Sequence, residues 1–523
     1  MRPKALEIRN MIREIPGRAK FLYFSSLAFI SIYTFLIIVL SSFASYEVSF
    51  AVLAPLGLLL AISVLFLYLT KTVSSRTIAI AQDQSALNKP QFWKYFGFSL
   101  IPLVLLWSLY FPGLTSPDTI SQLQQVQTLQ FNDWHPVAHT LLIWFSTLLI
   151  KQYWFALLMQ NVALAFAVAY LGTTLDSWGF PRWVSRASMA IILINPSTWN
   201  IMQYAWKDCA FAIFMLFFAV HLINIFLSDG KWLGSWQHVV YFLISFTGAS
   251  LMRHNGIFAT LPILPVLFFL YLKSWKRILA IGLLCISLLA LIKGPAYQLL
   301  KVETDPTQTY VESVGVPMTI MAAIIADAPE NLPPDVKAFL NQIATDEKWQ
   351  QYYRLGDWNS VKFKVDSAKV IASQSPQSFL DMTIRTILSS PGVALNATVA
   401  LTDMVWDPFA TVDWAEIEDF RIGTSPRDLA KNEVRFLSSV STYGPLGSLF
   451  WCTGTFILLM LSAALINMPR SGCKVLLLIV PMLAYNLGTM LLLSGADHRF
   501  FYYNALIFLP IVLVLFSRKT TTR

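Results

Sequence analysis

The chain reads as an all-α polytopic membrane protein with about 12 transmembrane helices. Three observations carry that expectation. Of its 523 residues, 56% are hydrophobic and only 13% charged, at a mean hydropathy of +0.58, whereas a soluble globular domain carries roughly 25% charged residues. Apolar runs close to the roughly 20 residues needed to cross a hydrocarbon core recur along most of the chain. The charges also separate. Residues 295–441 hold 19 Asp and Glu against 12 Lys and Arg, a net of −7, so the remainder carries about +16, mostly in short loops between apolar runs. That is a positive-inside arrangement, not a polyanion groove, and it excludes nucleic acid as a partner.

In order, residues 1–20 carry six Arg and Lys and form a cytoplasmic, basic amphipathic lead-in. They are too long and too basic, and the following apolar run too extended, for a cleaved signal peptide. The N-terminal transmembrane region is 21–294. Its spans are 21–43, 48–70, 92–112, 153–172, 187–205, 209–227, 238–252, 256–272 and 278–294. Residues 136–150 are apolar but short, which predicts a re-entrant or interfacial helix on the outer side. Residues 295–441 form a mainly helical extracytoplasmic domain with helical spacing over 367–390, and the C-terminal transmembrane region 442–523 contributes spans 443–467, 475–493 and 500–516. With basic loops inside, both termini are cytoplasmic and the loop 113–135 lies outside, in a multi-pass protein of the plasma membrane. Cys209, Cys285, Cys452 and Cys473 lie in or beside apolar segments, so no disulfide framework is expected.

One stretch gathers polar residues between two apolar walls: 110–139, YFPGLTSPDTISQLQQVQTLQFNDWHPVAH, with Asp118, Asp133, His135 and His139. The predicted topology sets further mixed clusters at the same membrane level: Lys207 and Asp208 after Trp206, Arg253 and His254, then Asp497, His498 and Arg499. Acid, base and imidazole together suit a site that binds an anion and removes a proton. Asp118 reads both as the N-cap of an interfacial helix over 119–130 and as a general base, its basicity raised by desolvation at the mouth of an apolar cavity. His135 can be a metal ligand, a donor to a leaving group or a cap. Asp133 and His135 alone are too few ligands to argue a metal, though a divalent ion is possible if Asp118 completes the set. Lys207, Arg253 and Arg499 are the anion-binding candidates, and the two arginines can equally be snorkelling anchors. Trp134 and Trp206 offer rings on which a sugar or lipid could stack.

An outer first large loop with Ser116-Pro117-Asp118 and Asp133-Trp134-His135-Pro136, then His139-Thr140-Leu141-Leu142 and a half-span, resembles the integral-membrane C-type (GT-C) glycosyltransferases. WKDCAFAIF from Trp206, LMRHNGIF from Leu251 and DHRFFYYNALIFLP from Asp497 resemble a bacterial branch of that class. No paired-acid Asp-x-Asp and no WWD signature is present. The resemblance implies a polyprenyl-phosphate sugar donor and an inverting displacement on the outer face. The acceptor would be an envelope glycan, lipid or protein. Asp118 would take the acceptor proton, and Lys207, Arg253 and Arg499 would hold the lipid phosphate. Asp133 and His135, catalytic candidates beside Asp118, would orient sugar or acceptor, and Asp208, His254 and Trp134 are further substrate-binding candidates.

Two other classes fit the same span count. A transporter or flippase of lipid-linked saccharides would show inverted repeats and ionisable residues at mid-membrane; neither is visible. An envelope polysaccharide polymerase or assembly factor would also carry a large outer loop with Arg and His.

Overall fold

A computed structural model describes residues 78–80, 86–410 and 436–519, residue 438 excepted. The basic lead-in and the expected spans 21–43 and 48–70 lie outside the described residues. What is described is almost entirely helical, apart from one short parallel pairing of β1 (Ile78–Ile80) with β2 (Ser517–Lys519).

The membrane part begins with α1 (Lys89–Leu109), α2 (Pro117–Thr128), α3 (Val137–Thr147) and α4 (Tyr153–Ser177). It continues with α5 (Arg182–Ile194), α6 (Pro196–Ile201), α7 (Lys207–Leu227), α8 (Trp236–Met252), α9 (Gly256–Thr260), α10 (Ile263–Leu270) and α11 (Trp275–Leu291). Among the described residues six helices are long and apolar enough to cross a membrane, beginning at Lys89, Tyr153, Lys207, Leu272, Gly472 and His498. The protein is therefore a multi-pass membrane protein.

Four expected spans are not continuous full-length helices, the 443–467 run, described below, among them. The 187–205 run breaks between α5 and α6, because Pro196 removes a backbone donor and Asn195 instead accepts from Ser197 N at 2.9 Å, capping a new helix. The 256–272 run is divided between α9 and α10 at Pro262. Helix α8 has 17 residues. The apolar run at 136–150 becomes the 11-residue α3, about 16 Å long and too short to cross.

Helix α7 is the centre of the membrane part: 83% of its apolar window is buried, against 17% for α1 and for the helix starting at Leu272. Its apolar residues run all round the helix, as a helix surrounded by others requires, and it packs on α4, on α8 and on the last two spans. Lys207 and Asp208 form its first turn, so they emerge at the end of the best-packed element.

A second core is built wholly from residues 311–397, around Met321, Phe339, Trp349 and Trp358. It comprises α12 (Gly315–Asp327), α13 (Pro376–Ser389), the start of α14 (Pro391–Trp406) and shorter helices. The helix expected over 367–390 is interrupted before Pro376, where Ser375 accepts from Ser378 N at 3.2 Å. Backbone hydrogen bonds help tie this unit to the membrane part. Glu303 exchanges backbone hydrogen bonds with the 131–133 loop, at 2.8 Å to Phe131 O and 2.9 Å from Asp133 N. Asn359 N donates to Ser494 O at 3.2 Å. The chain then returns through α15 (Gly444–Phe450), bent by 61° from α16 (Thr453–Ser471), and continues with α17 (Leu476–Met490) and α18 (Tyr503–Leu515). The bent pair counts as a seventh span if taken together.

Candidate functional site

Two loops are stitched together first. Leu114 N donates to Gln203 O at 3.0 Å. The Tyr153 hydroxyl donates to Leu114 O at 2.5 Å and accepts from Ala205 N at 3.1 Å. Just beyond, Ser116 Oγ accepts Thr119 N at 3.3 Å and Trp206 Nε1 at 2.8 Å. Ser116, not Asp118, is therefore the N-cap of α2. Pro117 takes the first helical position, where its missing N–H costs nothing. The expectation that Asp118 caps this helix is corrected, and its carboxylate turns instead to the start of α7.

Helix α2 is held on α3 by a buried glutamine. Gln122 Nε2 donates to Thr140 Oγ1 at 2.9 Å and Gln122 Oε1 lies 3.1 Å from His139 Nδ1. Gln125 closes the following loop through both its amide atoms, to Asn132 Oδ1 and from Asn132 N. His139 thus belongs to the scaffold, while His135, four residues earlier, reaches the charges.

Lys207 Nζ is the hub. It donates to Asp118 Oδ2 at 3.3 Å and to His135 Nδ1 at 3.1 Å, which leaves the imidazole proton on Nε2. Arg499 joins from the segment before α18, with Nη1 3.3 Å from the same Asp118 Oδ2 and Nε 2.6 Å from Asp497 Oδ2. Its guanidinium lies 4.7 Å over the Trp206 ring, which is itself stacked flat on Tyr204 at 3.9 Å. Behind them Asp208 and Arg253 form an ion pair, and Arg499 Nε is 4.0 Å from Asp208. Arg253 and Arg499 both lie over Phe500, at 4.5 and 5.3 Å.

The two pairs differ in access. Asp118 is 28% exposed and Lys207 and Arg499 are 17% exposed, whereas Asp208 and Arg253 are 1% and 7% exposed. Burial alone would raise the Asp118 carboxyl, but Lys207, Arg499 and His135 outweigh it and hold it well below the usual carboxylate range. This is opposite to the expected direction, because the two cations that the fold delivers act against desolvation. Burial first, then Lys207, pushes the His135 imidazole down to about 3, so it is neutral at pH 7. Burial also lowers His254, against the pull of Asp133.

The structure thus joins Asp118, His135, Lys207, Asp208, Arg253, Arg499 and Trp206. Asp133 and His254 make a neighbouring pair outside the hydrogen bonds of that cluster, and Asp133 Oδ1 is buried without a hydrogen-bond partner. Trp134 is 38% exposed, with Lys362 of the 311–397 unit 5.8 Å from its ring. Lys362, Tyr204 and Phe500 escaped the reading of motifs. Phe500 follows Arg499 and Tyr204 precedes Trp206 by two residues, so their positions carried a signal; Lys362, far along the chain, carried none. Among the described residues no three His, Cys, Asp or Glu side chains gather as a metal-ligand set. Lys207 stands between Asp118 and His135, where an ion would have to sit, so these residues do not fit one.

A family described as being of unknown function, DUF6020, matches residues 131–402. No curated protein and no solved structure matches. The matched stretch contains His135, Lys207, Asp208 and Arg253, while Asp118 and Arg499 fall on either side of it.

Proposed function

This chain belongs to the DUF6020 family of unknown function, and we propose that it is a membrane glycosyltransferase of the GT-C kind. It would move a sugar from a polyprenyl-phosphate donor to an envelope glycan, lipid or protein acceptor at the outer face of the plasma membrane. The observation that carries this reading is the convergence of Lys207 and Arg499 on Asp118, from elements far apart in the chain, at the end of the central helix. Two partly exposed cations suit a phosphate, the Arg as a planar fork and the Lys as a point charge. The N-terminus of α7 adds a partial positive charge there.

In this mechanism Lys207 and Arg499 hold the lipid phosphate as it departs. The acceptor oxygen bonds to the anomeric carbon from the opposite side, the bond from that carbon to the phosphate oxygen breaks, and the acceptor proton passes to Asp118. His135, with its proton on Nε2, donates to a sugar or acceptor hydroxyl. Arg253 is neutralised by Asp208 and nearly unexposed, so it positions Arg499 through Phe500 rather than gripping substrate. Asp133, His254 and Trp134 face the acceptor side, where Lys362 brings the outer unit to the loop. The basic loops orient the site outward and leave both termini cytoplasmic, in the about 12-span topology that the hydropathy of the whole chain predicts.

The test is radiolabel transfer from a panel of polyprenyl-phosphate sugars, in membranes carrying the wild type or Asp118→Asn. Turnover by the wild type, lowered at least a hundredfold in the variant, is expected. Full activity in a folded Asp118→Asn protein would remove Asp118 from its role, and no turnover of any donor by intact wild type would overturn the transferase. A second reading, an envelope polysaccharide polymerase, is favoured by the two arginines from separate segments that meet over Phe500; it predicts products of many lengths in the same assay.

A further inference from the structure

We infer that Asp118 is a built-in occupant of the anion seat formed by Lys207 and Arg499, and that it becomes free to act as a base only when a substrate anion displaces it. The inference rests on the transferase reading and adds an order of events to it.

Two observations lead there. The first is geometry. One oxygen of Asp118, Oδ2, takes both cations, each at 3.3 Å, longer than the roughly 2.7–2.9 Å of a charge-assisted hydrogen bond. No hydrogen bond from either cation reaches its second oxygen. Two cations therefore share one carboxylate oxygen, each through a slack contact. Asp497 differs: its Oδ1 accepts Arg499 N at 3.0 Å and its Oδ2 takes Nε at 2.6 Å, so both oxygens are committed. Asp208 is 1% exposed and paired to Arg253. Of the three carboxylates, Asp118 is the one with both access and a slack contact.

The second observation is charge. Lys207, Arg253 and Arg499 face Asp118, Asp208 and Asp497. His135 adds no charge at neutral pH. The cluster is formally neutral. An anion entering it, such as the singly charged phosphodiester of the donor, creates an excess of negative charge in a partly dry site, which is met by withdrawal of a carboxylate or by a rise in its affinity for a proton. Either response falls on Asp118. Once Lys207 and Arg499 turn to the anion, the two charges that depress its basicity are screened from it, while the burial that raises basicity remains. The donor phosphate therefore creates the base that the acceptor needs. The donor binds first, and an acceptor arriving alone meets a carboxylate with little appetite for its proton.

Sulfate is a suitable probe, a tetrahedral dianion with no proton to exchange near pH 6. It is titrated calorimetrically into the detergent-solubilised full chain, in two buffers of different ionisation enthalpy. The wild type is expected to bind sulfate at pH 6 with uptake of well under one proton per anion, the mark of an Asp118 made more basic but still mostly deprotonated, and more tightly at pH 5 than at pH 7. Asp118→Asn should bind sulfate roughly tenfold more tightly, within the usual range of coupling between sites, and without that uptake. Asp133→Asn, a carboxylate outside the contacts with these cations, should change affinity less than twofold. Sulfate bound by wild type and Asp118→Asn with equal affinity, or an equal gain in Asp133→Asn, would overturn the displacement while leaving the anion seat standing. Failure of sulfate to bind either Asp118 form at millimolar concentration would remove the seat itself, and with it the phosphate-binding half of the transferase reading.

Discussion

Asp208 and Arg253 form an ion pair with almost no exposure, joining the first turn of α7 to the end of α8. Neither side chain can reach water if its partner is lost. Removing one member of such a pair costs about 3–5 kcal/mol, because a buried charge is left uncompensated. Asp208→Asn and Arg253→Met should each lower the unfolding temperature of the detergent-solubilised chain sharply. The double variant should cost clearly less than the two single costs added together. Additive costs in thermal unfolding would show that the two do not depend on each other.

Ser116 performs two tasks with one hydroxyl: it caps α2 and accepts the Trp206 indole at 2.8 Å. Ser116→Ala should cost about 1 kcal/mol for the cap and a further 1–3 kcal/mol, roughly, for the indole left without an acceptor. Because α2 carries Asp118 and Trp206 lies under Arg499, transfer activity should fall more than stability alone accounts for. Comparing activity per folded molecule in Ser116→Ala and Ser116→Thr tests this, with Thr retaining most function.

The pH response has a definite sign. An unfolded imidazole protonates near 6.5, whereas His135 in the fold protonates only near 3, held down by burial first and then by Lys207. Between those values the unfolded chain binds the extra proton. This contribution is therefore whole above about 6.5 and is lost as the pH falls toward 3. Asp118 acts in the same direction, since a depressed carboxyl stabilises above its ordinary range and loses that effect on acidification. The unfolding temperature should drop between pH 7 and pH 5. In His135→Asn, whose side-chain oxygen still accepts from Lys207, the drop should be smaller. An equal drop in the variant would mean that other groups set the pH response.

Gly315 begins α12 where its backbone meets the loop before Asp497. A Cβ there would collide with the Leu493 carbonyl and lie 2.9 Å from Ser494 Cα. Backbone cannot swing aside as a side chain can, so Gly315→Ala should cost about 1–3 kcal/mol. It should also disturb Arg499, which follows a few residues later. Weakened sulfate binding by Gly315→Ala, with Lys207 and Asp118 intact, would show that the 311–397 unit helps hold the anion seat. Unchanged binding would confine its effect to stability.

Composition and hydropathy determined the class of this protein, because crossing a bilayer is a demand on each segment separately and so is written locally. Pro196 and Pro262 break runs whose apolar content alone reads as continuous spans. The mixed polar junctions marked Asp118, His135, Lys207, Asp208, Arg253 and Arg499, since charge beside an apolar run is visible without any fold. The tertiary structure alone decided that these junctions meet, that Lys207 sits between Asp118 and His135, and that Asp133 and His254 stand apart. It alone reversed the direction of the Asp118 shift. Burial is a property of one residue and can be guessed from its neighbours in the chain. The sum of charges at a point depends on which distant segments the packing of α7 brings there.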